Sequence, residues 1–293
     1  MAPTASTSVF AALLILLLPR SFSSEELIDT DNLIPQSDVD LLEFPLNLEF
    51  LEAEFFLYGA FGYGLDKVAP NLTQGGPTPT GARWAHLDPF TWDAIQRKVK
   101  GFTRPQLDLS AASFAKVADS AFGHPLHPPF NPYSSGLHFL LASYLVPYVG
   151  LTGYVGTVPK LQGATSRRLV VGLLGVESGQ DAVIRALLYE HSRTKVPPYG
   201  ITVAEFTNRF SALRDRLGHA GLKDEGLVVP PSLGAEGRSK GNVLAGDADS
   251  VAYDRTPEEI LRIVYGGGNE HVPGGFYPKG ANGRIARSHL QTS

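Results

Sequence analysis

The sequence predicts an all-α protein: an antiparallel helical bundle with a polar centre, followed by a long irregular C-terminal tail. Three observations predict it. Apolar residues recur at spacings of three and four through several long segments, as the buried stripe of a helix requires. No run alternates apolar and polar residues as a half-buried strand would. Glu49 and Glu177 each fall inside such an apolar series, Glu49 among Leu42, Leu46, Ala53, Phe56 and Ala60, and Glu177 among Leu169, Leu173, Val176, Val183 and Leu187. An acid on a buried stripe is costly unless it is ion-paired, hydrogen-bonded or bound to metal.

The elements follow in order. Val9 to Leu18 is an unbroken apolar run that ends at Pro19-Arg20, with small residues at Ser21 and Ser23. It is short for a membrane span and suits a secretory signal over 1–23, although its leading segment lacks Lys or Arg. An acidic leader occupies 24–37, a helical region 38–220, and a Gly/Pro-rich extension 221–293. Within the helical region the spacing predicts a first helix over 39–65. Asp88-Pro89 then opens a short one over 88–100, with the Asp as cap and the Pro at the first helical position. One or two helical turns are expected around 111–121 inside a proline-rich loop. A helix over 134–157 carries Pro147, which should kink it. The strongest pattern spans 166–192, and the next, 202–217, begins with Thr202 and Glu205 as a capping box. In the extension, Thr256-Pro257-Glu258-Glu259 is a second capping box and starts one short helix.

Composition excludes several functions. The chain has 293 residues, 43% hydrophobic and 18% charged, as in an ordinary globular protein. After removal of 1–23, 24 basic side chains face 29 acidic ones, a net charge of −5. That balance argues against nucleic acid or an anionic membrane as partner. No later stretch is expected to span a membrane, so the processed chain is expected to be soluble. There is no cysteine, which removes disulfides, zinc ribbons, iron–sulfur clusters and thiol catalysis. Asn71-Leu72-Thr73 is an N-glycosylation sequon, consistent with export.

The carboxylates are the candidate site. A bundle that binds two metal ions takes a Glu from each of two helices and a Glu-x-x-His from each of the other two. Glu177-Ser178-Gly179-Gln180 has that spacing, but Gln180 stands where imidazole is needed, and a neutral amide is a poor ligand for a transition metal. Glu49 offers the lone acid of the first helix. No Asp or Glu occurs between Leu137 and Thr157. Glu49, Glu177 and Gln180 therefore form a vestigial metal site, for iron or another divalent cation, or else the two acids hydrogen-bond inside the bundle or pair with Arg168 or Arg185. His124, His127, His138 and His191 lie in loops or near helix ends. Gly266-Gly267-Gly268 lacks the Lys-Ser/Thr of a phosphate loop, and Asp247-Ala248-Asp249 lacks the glycine and terminal Glu of a calcium loop. Gly172, Gly175 and Gly179 form a small-residue face suited to close helix packing. No Gly-x-Ser-x-Gly elbow is present.

Several blocks resemble the plant desiccation-related proteins: Asn47-Leu48-Glu49-Phe50-Leu51-Glu52-Ala53-Glu54, Leu151-Thr152-Gly153-Tyr154-Val155, Leu161-Gln162-Gly163-Ala164-Thr165-Ser166, the stretch from Leu174 to Ala186, Tyr199 to Thr207, and Pro273 to Pro278. The resemblance covers about Asp38 to Leu290. It implies a ferritin-like four-helix bundle, a secretory signal and a link to dehydration stress. Relatives carry a full second helix containing Gln-Glu-Val-Gly-His after the Leu-Asp-Pro matched by Leu87-Asp88-Pro89. Here Ile95-Gln96-Arg97-Lys98-Val99 runs into Gly101-Phe102, so about twenty residues, roughly 30 Å of helix, are absent. Either a splice or gene-model error removed them, or other segments complete the bundle.

The functional expectation is a secreted, non-enzymatic stress-associated protein of the apoplast, cell wall or vacuole, with no cofactor. Self-association or a wall component is its expected partnership. The alternative is a metal-binding oxidase or iron-binding protein using Glu49 and Glu177. A wall-polysaccharide module drawing on Phe130-Asn131-Pro132-Tyr133 and Phe276-Tyr277-Pro278 is a third reading.

Overall fold

A computed structural model describes residues 34–85, 87 and 102–290. The expected signal segment, most of the acidic leader and the short helix over 88–100 lie outside the described residues.

The expected first helix is divided. α1 (Gln36–Glu43) and α2 (Leu46–Phe61) meet at Phe44-Pro45. Pro45 has no N–H to donate, and its ring crowds the carbonyl four residues back, so a helix cannot run through it unbroken. α2 is buried on nearly every side, with Glu49, Glu52 and Glu54 buried among its apolar residues. It approaches the next bundle helix so closely that a Cβ on Gly59 would lie 2.3 Å from the Phe139 ring. Two short helices, α3 (Leu65–Val68) and α4 (Pro70–Thr73), follow. Arg104, fully buried, pairs with Glu54 of α2 and with Asp66 of α3, which ties the chain after the undescribed segment back to the bundle.

The proline loop contains more helix than expected. α5 (Ala111–Phe122) makes three turns, started by Ser110, whose hydroxyl accepts from the Ser113 amide. The apolar segment over 134–157 divides into α6 (Gly136–Ser143) and α7 (Pro147–Thr157), with Pro147 at the start of α7. Contrary to the sequence expectation, Gly136–Lys160 is long and apolar enough to cross a membrane, but 94% of that window is buried inside the fold. It is core.

α8 (Ala164–Glu190) is the longest described helix, about 40 Å, and packs mainly along α7. Its buried seam is not the apolar one the sequence suggested. Ser166, Val170, Glu177, Asp181, Ile184, Arg185 and Leu188 face inward. Leu169 and Val171 are about half exposed, and a Cβ on Gly172, Gly175 or Gly179 would meet nothing within 4 Å. The expected close packing through those glycines is therefore absent among the described residues. Hydrogen bonding and charge pairing set the rotation of this helix.

A hairpin of β1 (Lys195–Val196) and β2 (Ile201–Thr202), antiparallel, turns the chain into α9 (Val203–Gly218). Thr202 caps α9 by accepting from the Glu205 amide, but the Glu205 carboxylate reaches Arg209 at 2.7 Å. Half of the expected capping box is present. α10 (Pro257–Val264) has the full box on Thr256 and Glu259, and α11 (Arg284–His289) closes the described chain.

The irregular extension packs into the bundle. Ile260, Leu261, Val264, Phe276, Tyr277 and Ala286 belong to the same apolar core as Phe55, Phe114 and Phe139. Asn47 and Asn282 exchange hydrogen bonds of 2.7 and 2.8 Å, and the Tyr277 hydroxyl donates to the Asn47 carbonyl. The strongest tie is polar. Arg214 of α9 donates to the Tyr144 carbonyl and pairs with Asp224 at 2.5 Å, and Arg255 reaches the same carboxylate at 3.4 Å. Arg185 of α8 donates to the carbonyls of Glu225, Gly226 and Asn242.

Burial raises both carboxyls in this cluster, but Arg214 and Arg255 outweigh it for Asp224, which is held below the usual range. Asp181 is pushed up to about 6, because burial there exceeds the pull of Arg185 and Arg214. An acid raised on folding binds its proton better in the native state, so its contribution to stability falls as pH rises from about 4 to about 6. Asp181→Asn should gain stability over wild type with increasing pH, from near zero at pH ~4 to about 1–3 kcal/mol at pH ~7. Urea unfolding across that range measures it.

Candidate functional site

Three carboxylates converge beside α7. Glu49 and Glu52 lie one turn apart on α2 and are 7% and 4% exposed, and Glu177 of α8 is fully buried. Gly150 of α7 makes room for them. A Cβ there would lie 3.3 Å from Glu52 Oε1 and 3.6 Å from Glu177 Oε2, so two carboxylates from different helices reach the same spot over its bare Cα.

The third wall is a phenol. Tyr154, one turn beyond Gly150 on α7 and 1% exposed, donates its hydroxyl to Glu49 Oε1 at 2.6 Å. Burial, and then the negative charges of Glu49, Glu177 and Glu52, raise its pKa well above the ordinary value. The phenol stays protonated at neutral pH and serves as donor. The helix that lacks any acid thus contributes a proton donor to the cluster.

The sequence-selected residues separate at this point. Glu49 and Glu177 come to one centre, as their place in apolar series suggests. Gln180 lies on the next turn of α8, half-buried. Arg185 faces Asp181 and backbone carbonyls, and Arg168 is exposed. Glu52 and Tyr154 were missed, although both carried a signal: Glu52 stands at i+3 from Glu49 on the same helix, and Tyr154 is, with Tyr148, one of two long polar side chains on a helix otherwise apolar and small.

The described histidines belong to other contacts. His138 hydrogen-bonds Ser135 and stacks on Phe130, while His191 and His219 close α8 and α9. His271 meets the His289 carbonyl, and His124 and His127 are exposed. Among the described residues no group of three or more His, Cys, Asp or Glu is arranged to hold a metal ion. Among the described residues the donors at the centre are carboxylate and phenol. That set does not fit a pair of iron ions, which draws on imidazole from two helices, and is closer to what a single hard cation takes.

The sequon is also placed. Asn71 is exposed on α4, while the Thr73 hydroxyl donates to the Pro70 carbonyl at 2.8 Å.

Tyr154→Phe leaves Glu49 Oε1 without its phenol in a dry setting. The expected loss is about 1–3 kcal/mol in unfolding free energy, read by urea titration monitored by far-UV circular dichroism.

Comparison with known proteins agrees with this architecture. The model of the ferritin-like domain matches residues 37–190, from α1 to the end of α8. The chain is 58% identical over 273 residues to the ferritin-like catalase Nec2 of Nesocodon mauritianus, covering 88% of each chain. It is 57% identical over 265 residues to the desiccation-related protein PCC13-62 of Craterostigma plantagineum, covering 86% of this chain and 85% of that one. No solved structure matches. The buried Glu49, Glu52 and Glu177 at the centre of a helical bundle are thus those of a chain that belongs to the ferritin-like family of desiccation-related proteins.

Proposed function

We propose that this chain is a secreted, non-enzymatic stress-associated protein, whose ferritin-like centre is a structural carboxylate–phenol cluster. The observation that carries this is the Tyr154–Glu49 hydrogen bond. A protonated phenol takes up a carboxylate oxygen that a metal would otherwise claim, and so satisfies the buried acid with the protein's own donor. Export is supported by the apolar run Val9 to Leu18 and by the exposed Asn71 sequon, and the acidic balance speaks against nucleic acid. The apoplast or cell wall is the proposed location, with the vacuole as alternative, and no cofactor is proposed.

One observation favours a second reading. Three buried carboxylates from two helices are retained at the centre, and one relative at 58% identity is named a catalase. On this reading Glu49, Glu52 and Glu177 would hold a divalent cation that supplies redox chemistry toward peroxide, and the side chains would orient and shield it.

Purification of the full chain from a secreting host separates the two. We expect an intact mass that reports cleavage near Ser23 and a glycan on Asn71. We also expect less than one metal ion per chain and, with manganese or iron supplied, no oxygen release from hydrogen peroxide above the buffer control. Stoichiometric metal, with peroxide breakdown lost in Glu177→Ala, would establish the second reading.

A further inference from the structure

We infer that the chain holds a binding site for a small neutral aromatic alcohol, on the face of α2 that adjoins its carboxylate face. A cavity of about 170 Å³ opens between α2, α5, α9 and α10. For comparison, an engineered apolar cavity of about 150 Å³ binds benzene, so this one matches a single ring with one substituent.

The floor of the cavity is apolar. Leu48 and Leu51 of α2 form it with Val149 of α7, and all three are buried. These leucines alternate along α2 with Glu49 and Glu52, so the helix presents carboxylates to one neighbour and the cavity to another. The Phe276 ring adds an aromatic wall, against which a second aromatic ring packs favourably edge-on or offset. A smooth core would fill such a space with side chain.

The rim differs from the floor. Lys116 on α5 is exposed, and Asp108 is half-buried before that helix. Arg214 also lines the cavity, but its charge is taken by Asp224, and Lys116 and Asp108 have opposite sign, so the lining selects neither an anion nor a cation. It offers a donor and an acceptor to a single hydroxyl, as pockets that combine an apolar body with a few placed polar groups do.

The test is p-cresol titrated into the full-length processed chain, followed by thermal unfolding and by methyl NMR. We expect a saturable rise of a few degrees in the unfolding midpoint and shifts confined to the methyl resonances of the lining residues, Leu48, Leu51, Val117, Val149 and Leu217 among them. Val117→Phe and Leu217→Trp, two half-buried lining positions, should fill the cavity and abolish the rise while the far-UV spectrum is unchanged. Benzene should bind more weakly than p-cresol. The proposal is overturned by an absence of saturable shifts in the wild-type chain, by shifts scattered over surface methyls, or by an undiminished rise in a folded filled variant. Benzene equal to p-cresol would overturn the role given to the rim.

Discussion

Arg214 and Arg255 close on Asp224 at the place where the C-terminal extension crosses the bundle, while Arg185 of α8 takes the carbonyls that flank it. All three guanidiniums are essentially without solvent contact. A buried ion cluster of this kind is neutral to stability when complete, but removal of one member leaves an uncompensated charge in low dielectric, at about 3–5 kcal/mol. Its geometry therefore constrains everything attached to it: the rotation of α8, the approach of α9, and the path of residues 224–255. The extension is irregular in sequence, yet it supplies the anion on which the helices converge.

The rotation of α8 follows from that cluster. Glu177, Asp181 and Arg185 stand four residues apart, one turn each, so the face that brings Arg185 to the extension also brings Glu177 to Glu52 over Gly150. The helix consequently buries a polar stripe and turns Leu169 and Val171 outward. Each turned-out leucine or valine forfeits roughly 1–2 kcal/mol of apolar burial, less than a single unpaired buried charge would cost. Polar satisfaction outweighs apolar area here.

The two functional regions share α2. Its charged face meets α7 and α8 at the carboxylate–phenol cluster, and its leucine face borders the cavity below α5 and α10. A helix buried on nearly every side can serve two sites at once because neither face has to be given to solvent. The carboxylate cluster lies where α2, α7 and α8 meet. The nature of the group that α7 presents there, a phenol beside a glycine, separates this centre chemically from one built wholly of acids and imidazoles.

Much of the architecture was legible locally. Helix periodicity, the Thr202 and Thr256 caps and the break before Pro147 depend on interactions within a few residues, so the sequence alone determined them. Pro45 was equally local and was overlooked. Glu49 and Glu177 stood out because a carboxylate in an apolar series has few stable explanations. What only the tertiary structure decided were the partners: that Tyr154 meets Glu49, that Glu52 joins Glu177, and that Arg185 turns to the extension. Those pairings join residues 40 to 125 positions apart. Charge and hydrogen-bonding capacity are written in the side chain, but the partner that satisfies them is set by packing, and no spacing rule reaches across it.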